Sequence, residues 1–336
     1  MDILYQFNER YAPYAGVSMT SLFENNKDAE AITVWILGEG LSGDSLSRFE
    51  KLRSEYSRDI RYIDGSSIID RIKEMGMPSY RGSYAANIRM FISEIFPEET
   101  KRVLYLDSDT IVRGSIENLF NTGLDGCTAG MIYDSLGEDH KGDIGLAPDD
   151  GYYNSGVILF DVKKWRENRY TERIIDHVKN VRAQYTSPDQ DLINVVCRGD
   201  IHTLPPEYNL QPVHVAYSMK AYFKNYAHTV YYTAEQLEAA IKDPVIVHFF
   251  RFIGEFPWNK DNVHPFNDLF DEYMKQSLWN DYIKKPARNG FALKCEKILY
   301  RVIPRDMFLS VFRLGHRIFY TRPDSMSGNN RINKTM

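Results

Sequence analysis

The chain has 336 residues, 43% of them hydrophobic, and a formal charge of −5. That is enough for one large domain or two modest ones with a core that needs no disulfide staples. Its three cysteines, Cys127, Cys197 and Cys295, make neither a CxxC pair nor a zinc spacing and read as buried reduced thiols. No basic, apolar leader follows Met1, and no apolar run approaches the ~18 residues of a membrane span, so a cytoplasmic protein is expected. The charge is uneven: between Lys284 and Arg322, ten Lys/Arg face only Glu296 and Asp306. An acidic body with a basic tail argues against a nucleic-acid partner, whose phosphates the body would repel, and suggests two surfaces with different partners.

The elements follow in order. Residues 3–7 read as a strand, 15–23 as a helix, 31–37 as a second strand and 46–56 as a second helix. A short strand at 60–63 precedes a helix over 83–96, which ends before Pro97. This β-α-β-α-β alternation predicts an α/β fold, a mostly parallel, Rossmann-like central sheet flanked by helices. Gly38-Glu39-Gly40-Leu41-Ser42-Gly43 matches GxGxxG between a strand and a helix, with Asp64 placed as a ribose-binding acid. An NAD-dependent oxidoreductase is therefore one alternative. Against it, Glu39 would set a carboxylate beside the pyrophosphate, and the motif follows the second strand rather than the first.

The strand at 103–109 is the centre of the chain. It is apolar to Leu106 and stops in Asp107-Ser108-Asp109, so it would carry two carboxylates to the carboxyl edge of the sheet, where α/β ligands bind. Alternate residues of an extended strand point to one side. The two acids would repel each other there unless a divalent cation joined them. A solvated turn has the same composition. Further strands are expected at 128–132, 157–162 and 245–247, with a polar loop over 134–150. A helix is expected over 163–183, and another segment opens at Pro188, capped by Ser187 or Asp189.

The ordered motifs LYLDSD, YYNSGVILFDVKKW, PDQDLIN and VHFF…GEFPW, with the opening Tyr11-Ala12-Pro13-Tyr14, together resemble the family 8 glycosyltransferases of the GT-A fold over about residues 1–275. This family includes bacterial lipooligosaccharide galactosyltransferases and glycogenin. The resemblance implies a retaining transfer of galactose or glucose from a UDP-sugar to a saccharide or glycolipid, in bacterial cell-surface glycan assembly. It implies Asp107, Asp109 and His248 as metal ligands, an O,O,N set that suits Mn²⁺, with Mg²⁺ the alternative. It assigns donor contacts to Asn8, Tyr11, Arg89, Ser108, Asp191 and Gly254, and catalytic positions to Asp134, Asn154, Asp189 and Gln190. Two positions depart from the family pattern: Asn8 replaces an acid that reads uracil, and Phe256 replaces a lysine that holds the diphosphate. Arg251 or Lys260 are the candidate substitutes for that lysine. A nucleotide-sugar-binding protein with weak catalysis is the second alternative.

Beyond the domain expected at 1–280, residues 281–322 read as a basic amphipathic helical tail and 323–336 as a disordered C-terminus. Phe291, Cys295, Ile298, Leu299 and Val302 share one helical face, with Lys294, Lys297 and Arg301 on another. After Pro304 the pattern recurs in Phe308, Val311, Phe312 and Phe319 beside Arg313, His316 and Arg317. Such helices suit the inner, anionic face of a membrane or plain packing on the body. The sequence leaves the oligomeric state open.

Overall fold

The computed structural model describes residues 1–80, 82–181 and 185–320, with side chains as far as Leu314. Four strands, β1 (Asp2–Asn8), β2 (Thr33–Glu39), β3 (Asp59–Asp64) and β4 (Arg102–Leu106), run parallel. They are followed by β5 (Thr110–Val112), β6 (Ala129–Tyr133), β7 (Tyr153–Asp161), β8 (Ile201–Thr203) and β9 (Ile246–His248). Seven strands form one sheet in the order β3-β2-β1-β4-β7-β6-β8, while β5 and β9 make a separate antiparallel ribbon. β7 is antiparallel to both neighbours, and β8 is parallel to β6. The strand order turns back between β1 and β4, which opens a crevice at their carboxyl ends.

Both faces of the sheet are covered, so its central strands are apolar on both sides. Ile3, Tyr5 and Phe7 of β1, with Leu104 and Leu106 of β4, join one core beneath the Ala12–Glu24 and Gly43–Tyr56 helices. Leu4, Val103 and Tyr105 join the other, beneath Ser66–Glu74, Val162–Glu167 and Pro188–Val196. The period-two alternation thus divides one apolar run between two cores.

Several expectations need correction. β4 ends at Leu106, so Asp107-Ser108-Asp109 is a turn between β4 and β5 rather than the end of a strand. The segment expected as one helix over 83–96 is a 3₁₀ coil, Ala85–Phe91, followed by a single turn, Ile92–Ile95. Asn87 through Phe91 are all buried, and only Ala85 and Ala86 of this coil are partly exposed. The 163–183 helix breaks at Arg169, where φ is +54°, into Val162–Glu167 and Tyr170–Asn180; its expected end at Ala183 lies outside the described residues. The Ser66–Glu74 helix was not expected. β7 begins at Tyr153, so Asn154 and Gly156 lie in a strand rather than before one. Of the cysteines, Cys197 is buried and the other two are half-buried thiols.

The dinucleotide reading fails on its anion site. The Glu9 carboxylate occupies the N-terminus of the Gly43–Tyr56 helix, accepting from the Ser42 N–H (2.8 Å), Ser42 Oγ (2.8 Å) and Ser45 Oγ (3.0 Å). Asp64 is likewise spent locally, on the N–H and hydroxyl of Ser66.

The tail helices, Phe291–Val302 and Arg305–Tyr320, dock on the body through buried Tyr300, Phe308, Leu309 and Arg313. Lys297 pairs with buried Glu255 at 2.8 Å and Arg313 with Asp139 at 2.6 Å. The apolar stripe points the other way: Phe291 is 83% exposed and Val302 71%. The side chains of His316, Arg317 and Phe319, together with Arg322 and residues 323–336, lie outside the described part.

Just before the tail, Trp279 fills the space left by Gly16, where a Cβ would overlap its ring, and lies 4.9 Å from Phe49. Trp279→Ala is expected to cost about 3–5 kcal/mol in urea unfolding; a loss under ~1 kcal/mol would exclude this segment from the core.

Candidate active site

β5 pairs antiparallel with β9 so that Thr110 lies opposite His248, and the Phe249 N–H donates to the Asp109 carbonyl at 2.8 Å. This pairing sets an imidazole against the Asp-Ser-Asp turn, bringing His248 to Asp109 across 139 residues of chain. Ligand atoms of Asp107, Asp109 and His248 all lie within 4.8 Å of one another. His248 Nε2 is 3.2 Å from Asp109 Oδ1 and 3.7 Å from Asp107 Oδ2. Ser108 is buried in the turn between the two acids.

The imidazole is held in one tautomer by a chain of amides. Asn154 Oδ1 accepts from the Gly156 N–H (3.0 Å) and from Asn209 Nδ2 (2.8 Å). Asn209 therefore turns its carbonyl oxygen to His248 Nδ1, at 3.2 Å. Nδ1 thus donates to Asn209, and Nε2 is the ring atom that faces the carboxylates. Gly156 is required here because a Cβ would overlap the His248 ring. The donor set, two carboxylates and an imidazole aimed at one point, fits a divalent cation.

Arg89 links this cluster to a second one. Its buried guanidinium donates to Asp107 Oδ1 (3.0 Å) and to the Ser155 carbonyl (2.6 Å), and it lies 3.5 Å from Asp189 Oδ2. It also stacks 3.9 Å from the Tyr105 ring centroid, and the Tyr105 hydroxyl donates to the same Asp107 oxygen. Asp107 is thus held by its Oδ1, and its Oδ2 faces His248.

In the second cluster, Asn154 Nδ2 donates to Asp134 Oδ2 (2.9 Å) and to Gln190 Oε1 (3.0 Å). Gln190 Nε2 reaches Asp134 Oδ2 at 3.3 Å, and the Ser155 hydroxyl donates to Asp189 Oδ2 at 3.0 Å. Burial pushes the carboxyls of both Asp134 and Asp189 above the usual carboxylate range. Asp134, Asn154, Asp189 and Gln190 are therefore brought together, with Asp189 joined to the cation cluster through Arg89.

Tyr11 faces the same crevice: burial and then the Asp109 charge push its hydroxyl up to about 12. Asn8 closes β1, and its Oδ1 is buried without a hydrogen-bond partner, an acceptor available to an N–H of a ligand. Two expected donor contacts also have partners within the protein. Asp191 is fully buried, with Oδ1 taken by Tyr152 and His140 and Oδ2 by the Ser187 N–H, so both of its oxygens have protein partners. Ser187 stands at the helix N-cap but makes no side-chain cap bond. The space beside Gly254 (φ +73°) is filled by Leu293 and Asn289 of the tail, which gives that glycine a packing reason. Phe256 extends a ring stack, 4.5 Å from Trp258, which in turn lies 4.0 Å from Tyr14. Arg251, a candidate substitute for the missing lysine, is exposed and donates to Asn289.

Sequence reading did not find Tyr105, Asn209 or the role of Gly156. Asn209 sits in an irregular segment with no motif around it. Tyr105 had a signal: it is the one polar-tipped ring in an apolar strand that ends at the acids.

Residues 2–262 match the family model described as glycosyl transferase family 8. General stress protein A of Bacillus subtilis is 24% identical over 292 residues, 86% of this chain and 98% of the relative. The lipopolysaccharide 1,2-glucosyltransferase of Escherichia coli K12 is 25% identical over 298 residues, 88% of this chain and 83% of the relative. Among solved structures, the galactosyltransferase LgtC in complex with donor and acceptor sugar analogs superposes with a TM-score of 0.65 at 25% identity, covering 83% of this chain and 96% of that one.

Asn209→Ala is expected to weaken Mn²⁺ binding roughly 10–100-fold, as losses of outer hydrogen bonds to metal ligands do. Calorimetric titration of the variant with Mn²⁺ checks this, and an unchanged affinity would remove Asn209 from the site.

Proposed function

The chain belongs to glycosyl transferase family 8, and on that premise we propose that it moves a hexose, galactose or glucose, from a UDP-sugar to a saccharide or glycolipid hydroxyl with retention at the anomeric carbon. The observation that carries this reading is the meeting of Asp107, Asp109 and His248 within 4.8 Å, beside the buried Asp134–Asn154–Gln190 group. Relatives named as lipopolysaccharide glucosyl- and galactosyltransferases support a role in cell-surface glycan assembly.

Asp107, Asp109 and His248 would hold the cation, and this mixed O,O,N set favours Mn²⁺ over Mg²⁺. When bound, the ion neutralises charge on the departing diphosphate. Asn8 and Tyr11, at the end of β1, would meet the nucleoside. Arg89 keeps Asp107 oriented and lends positive charge beside Asp189. Asp189 and Asp134 bind sugar hydroxyls, and Asn154 positions the ring between them. A retaining glycosidase would place a carboxylate nucleophile at the reacting carbon; Gln190, a neutral amide, is a poor one. The acceptor oxygen therefore bonds to the anomeric carbon on the face from which the diphosphate oxygen leaves, and its proton passes to that leaving oxygen. Gln190 and the neighbouring carboxylates stabilise the positive charge that develops on the sugar.

A screen of UDP-glucose and UDP-galactose for metal-dependent UDP release tests this directly. Release stimulated by Mn²⁺ is expected, and Gln190→Ala should lower kcat roughly 10²-fold, in the range for removal of one electrostatic stabiliser. Near-normal turnover would take Gln190 out of the scheme. Phe256 in place of a cation favours the second reading, a nucleotide-sugar binder with weak catalysis. Tight UDP binding without release would select it.

The exposed stripe of Phe291, Ile298, Val302, Met307, Val311 and Leu314 supports a further part of the reading. Flanked by Lys294, Arg301 and Arg305, it would lie on an anionic membrane at its inner face, near a glycolipid acceptor. Among the described residues no helix is long and apolar enough to cross a membrane. The variant I298D/V302D is expected to lose most of its binding to phosphatidylglycerol vesicles in flotation, and undiminished binding would refute the membrane role.

A further inference from the structure

Gln190 has four polar neighbours, and they allow its amide one orientation. Oε1 accepts from Asn154 Nδ2 and from the Ser155 N–H, both at 3.0 Å. Nε2 donates to Asp134 Oδ2 at 3.3 Å and to the Tyr152 hydroxyl oxygen at 3.0 Å. A phenol can donate as well as accept, so this last contact holds the amide only if the Tyr152 proton is directed elsewhere. Tyr152 donates it to Asp191 Oδ1 at 2.5 Å. Asp191 is an obligate acceptor with no exposed surface, also receiving the Ser187 N–H on Oδ2 (2.9 Å) and His140 Nε2 on Oδ1 (3.0 Å). Three donors thus converge on a carboxyl group that has no contact with solvent.

We infer that Asp191 and Tyr152 are positioning residues that fix the orientation of the Gln190 amide, with Asp191 setting the direction of the Tyr152 hydroxyl. This rests on the proposed role of Gln190 and gives the second acid of the Asp-Gln-Asp motif a task away from the donor. His140, partly exposed, closes the chain at the Thr186 hydroxyl, 3.1 Å from Nε2. The polarity runs inward: carboxylate, phenol, amide, with each group leaving the next a single way to face.

Asp191→Asn tests the polarity with almost no change in volume. The Ser187 N–H holds the asparagine oxygen on its side, so the new –NH₂ faces Tyr152 and donates to it. The phenol then turns its proton toward Gln190 Nε2, donor against donor. To escape, Gln190 must flip and set its own –NH₂ against the Ser155 N–H and Asn154 Nδ2. Kcat for UDP-sugar turnover is expected to fall at least about tenfold, with the donor KM held within about twofold because the cation cluster is untouched. Adding Tyr152→Phe to D191N removes the misdirected donor, so the double variant is expected to recover part of the lost kcat. A merely structural role predicts instead that the double variant is worse than either single one.

Wild-type kcat in D191N, when Gln190→Ala has lost turnover, would overturn this inference and leave the function standing. Wild-type turnover in Gln190→Ala would overturn this inference together with the catalytic role of Gln190, and leave the transferase reading standing. A double variant slower than D191N would also overturn the inference. Should D191N fail to fold by thermal melting, Tyr152→Phe alone carries the test. It removes one acceptor from Nε2, so a drop in kcat of about threefold at constant donor KM is expected, and an unchanged kcat would refute the role.

Discussion

The site exists because two short strands far apart in the chain pair with each other. β5 and β9 have three residues each, and their pairing sets Thr110 against His248. Beside them the Asp107 N–H donates to the Gly156 carbonyl at 2.8 Å, tying the turn to β7, and the Thr110 hydroxyl donates to the Asp107 carbonyl at 2.8 Å. Thr110 Oγ1 also meets Ser18, which meets Tyr5, so the turn is anchored through buried hydroxyls to β1. Backbone hydrogen bonds thus fix the ligands, and a strand with one polar turn at its end becomes a cation site.

The cost of this arrangement is buried charge, and the structure answers it with pairing. An unpaired charge in the interior is far more destabilising than an unpaired dipole. Asp107 and Asp189 share one buried arginine, while Asp134 is surrounded by amide donors. Asp134 and Asp189 still resist ionisation because desolvation outweighs these donors. Such a cluster is less comfortable without positive charge nearby than with it, a common state of sites that await a charged ligand. Neutral Gln190 at the centre avoids adding a third carboxylate.

Much of the fold was legible because it follows from periodicity. The alternation in β1 and β4 and the helical spacing between them announced a covered, mostly parallel sheet. The Asp-Ser-Asp turn was legible as polar residues ending an apolar strand, although its geometry was not: the acids converge through a turn, and the pleat plays no part. His248 had no local signal beyond a strand end, since its value comes from a pairing across the chain, and only the order of motifs pointed to it. Asn209 and Tyr152 were hidden for the same reason, their partners being remote in sequence. The burial of Asp191 was not legible from its motif: consecutive helical residues point in directions about 100° apart, so a motif of three cannot send all its side chains to one place.

On the proposed function, Asp107, Asp109 and His248 would hold one divalent cation, which would supply positive charge to the diphosphate of the donor. An anomalous difference map from crystals grown with Mn²⁺ and UDP measures this directly. One peak within bonding distance of Asp107, Asp109 and His248 Nε2 is expected, with the UDP beside it. A peak elsewhere, or UDP bound in the crevice with no ion between it and these three side chains, would contradict it.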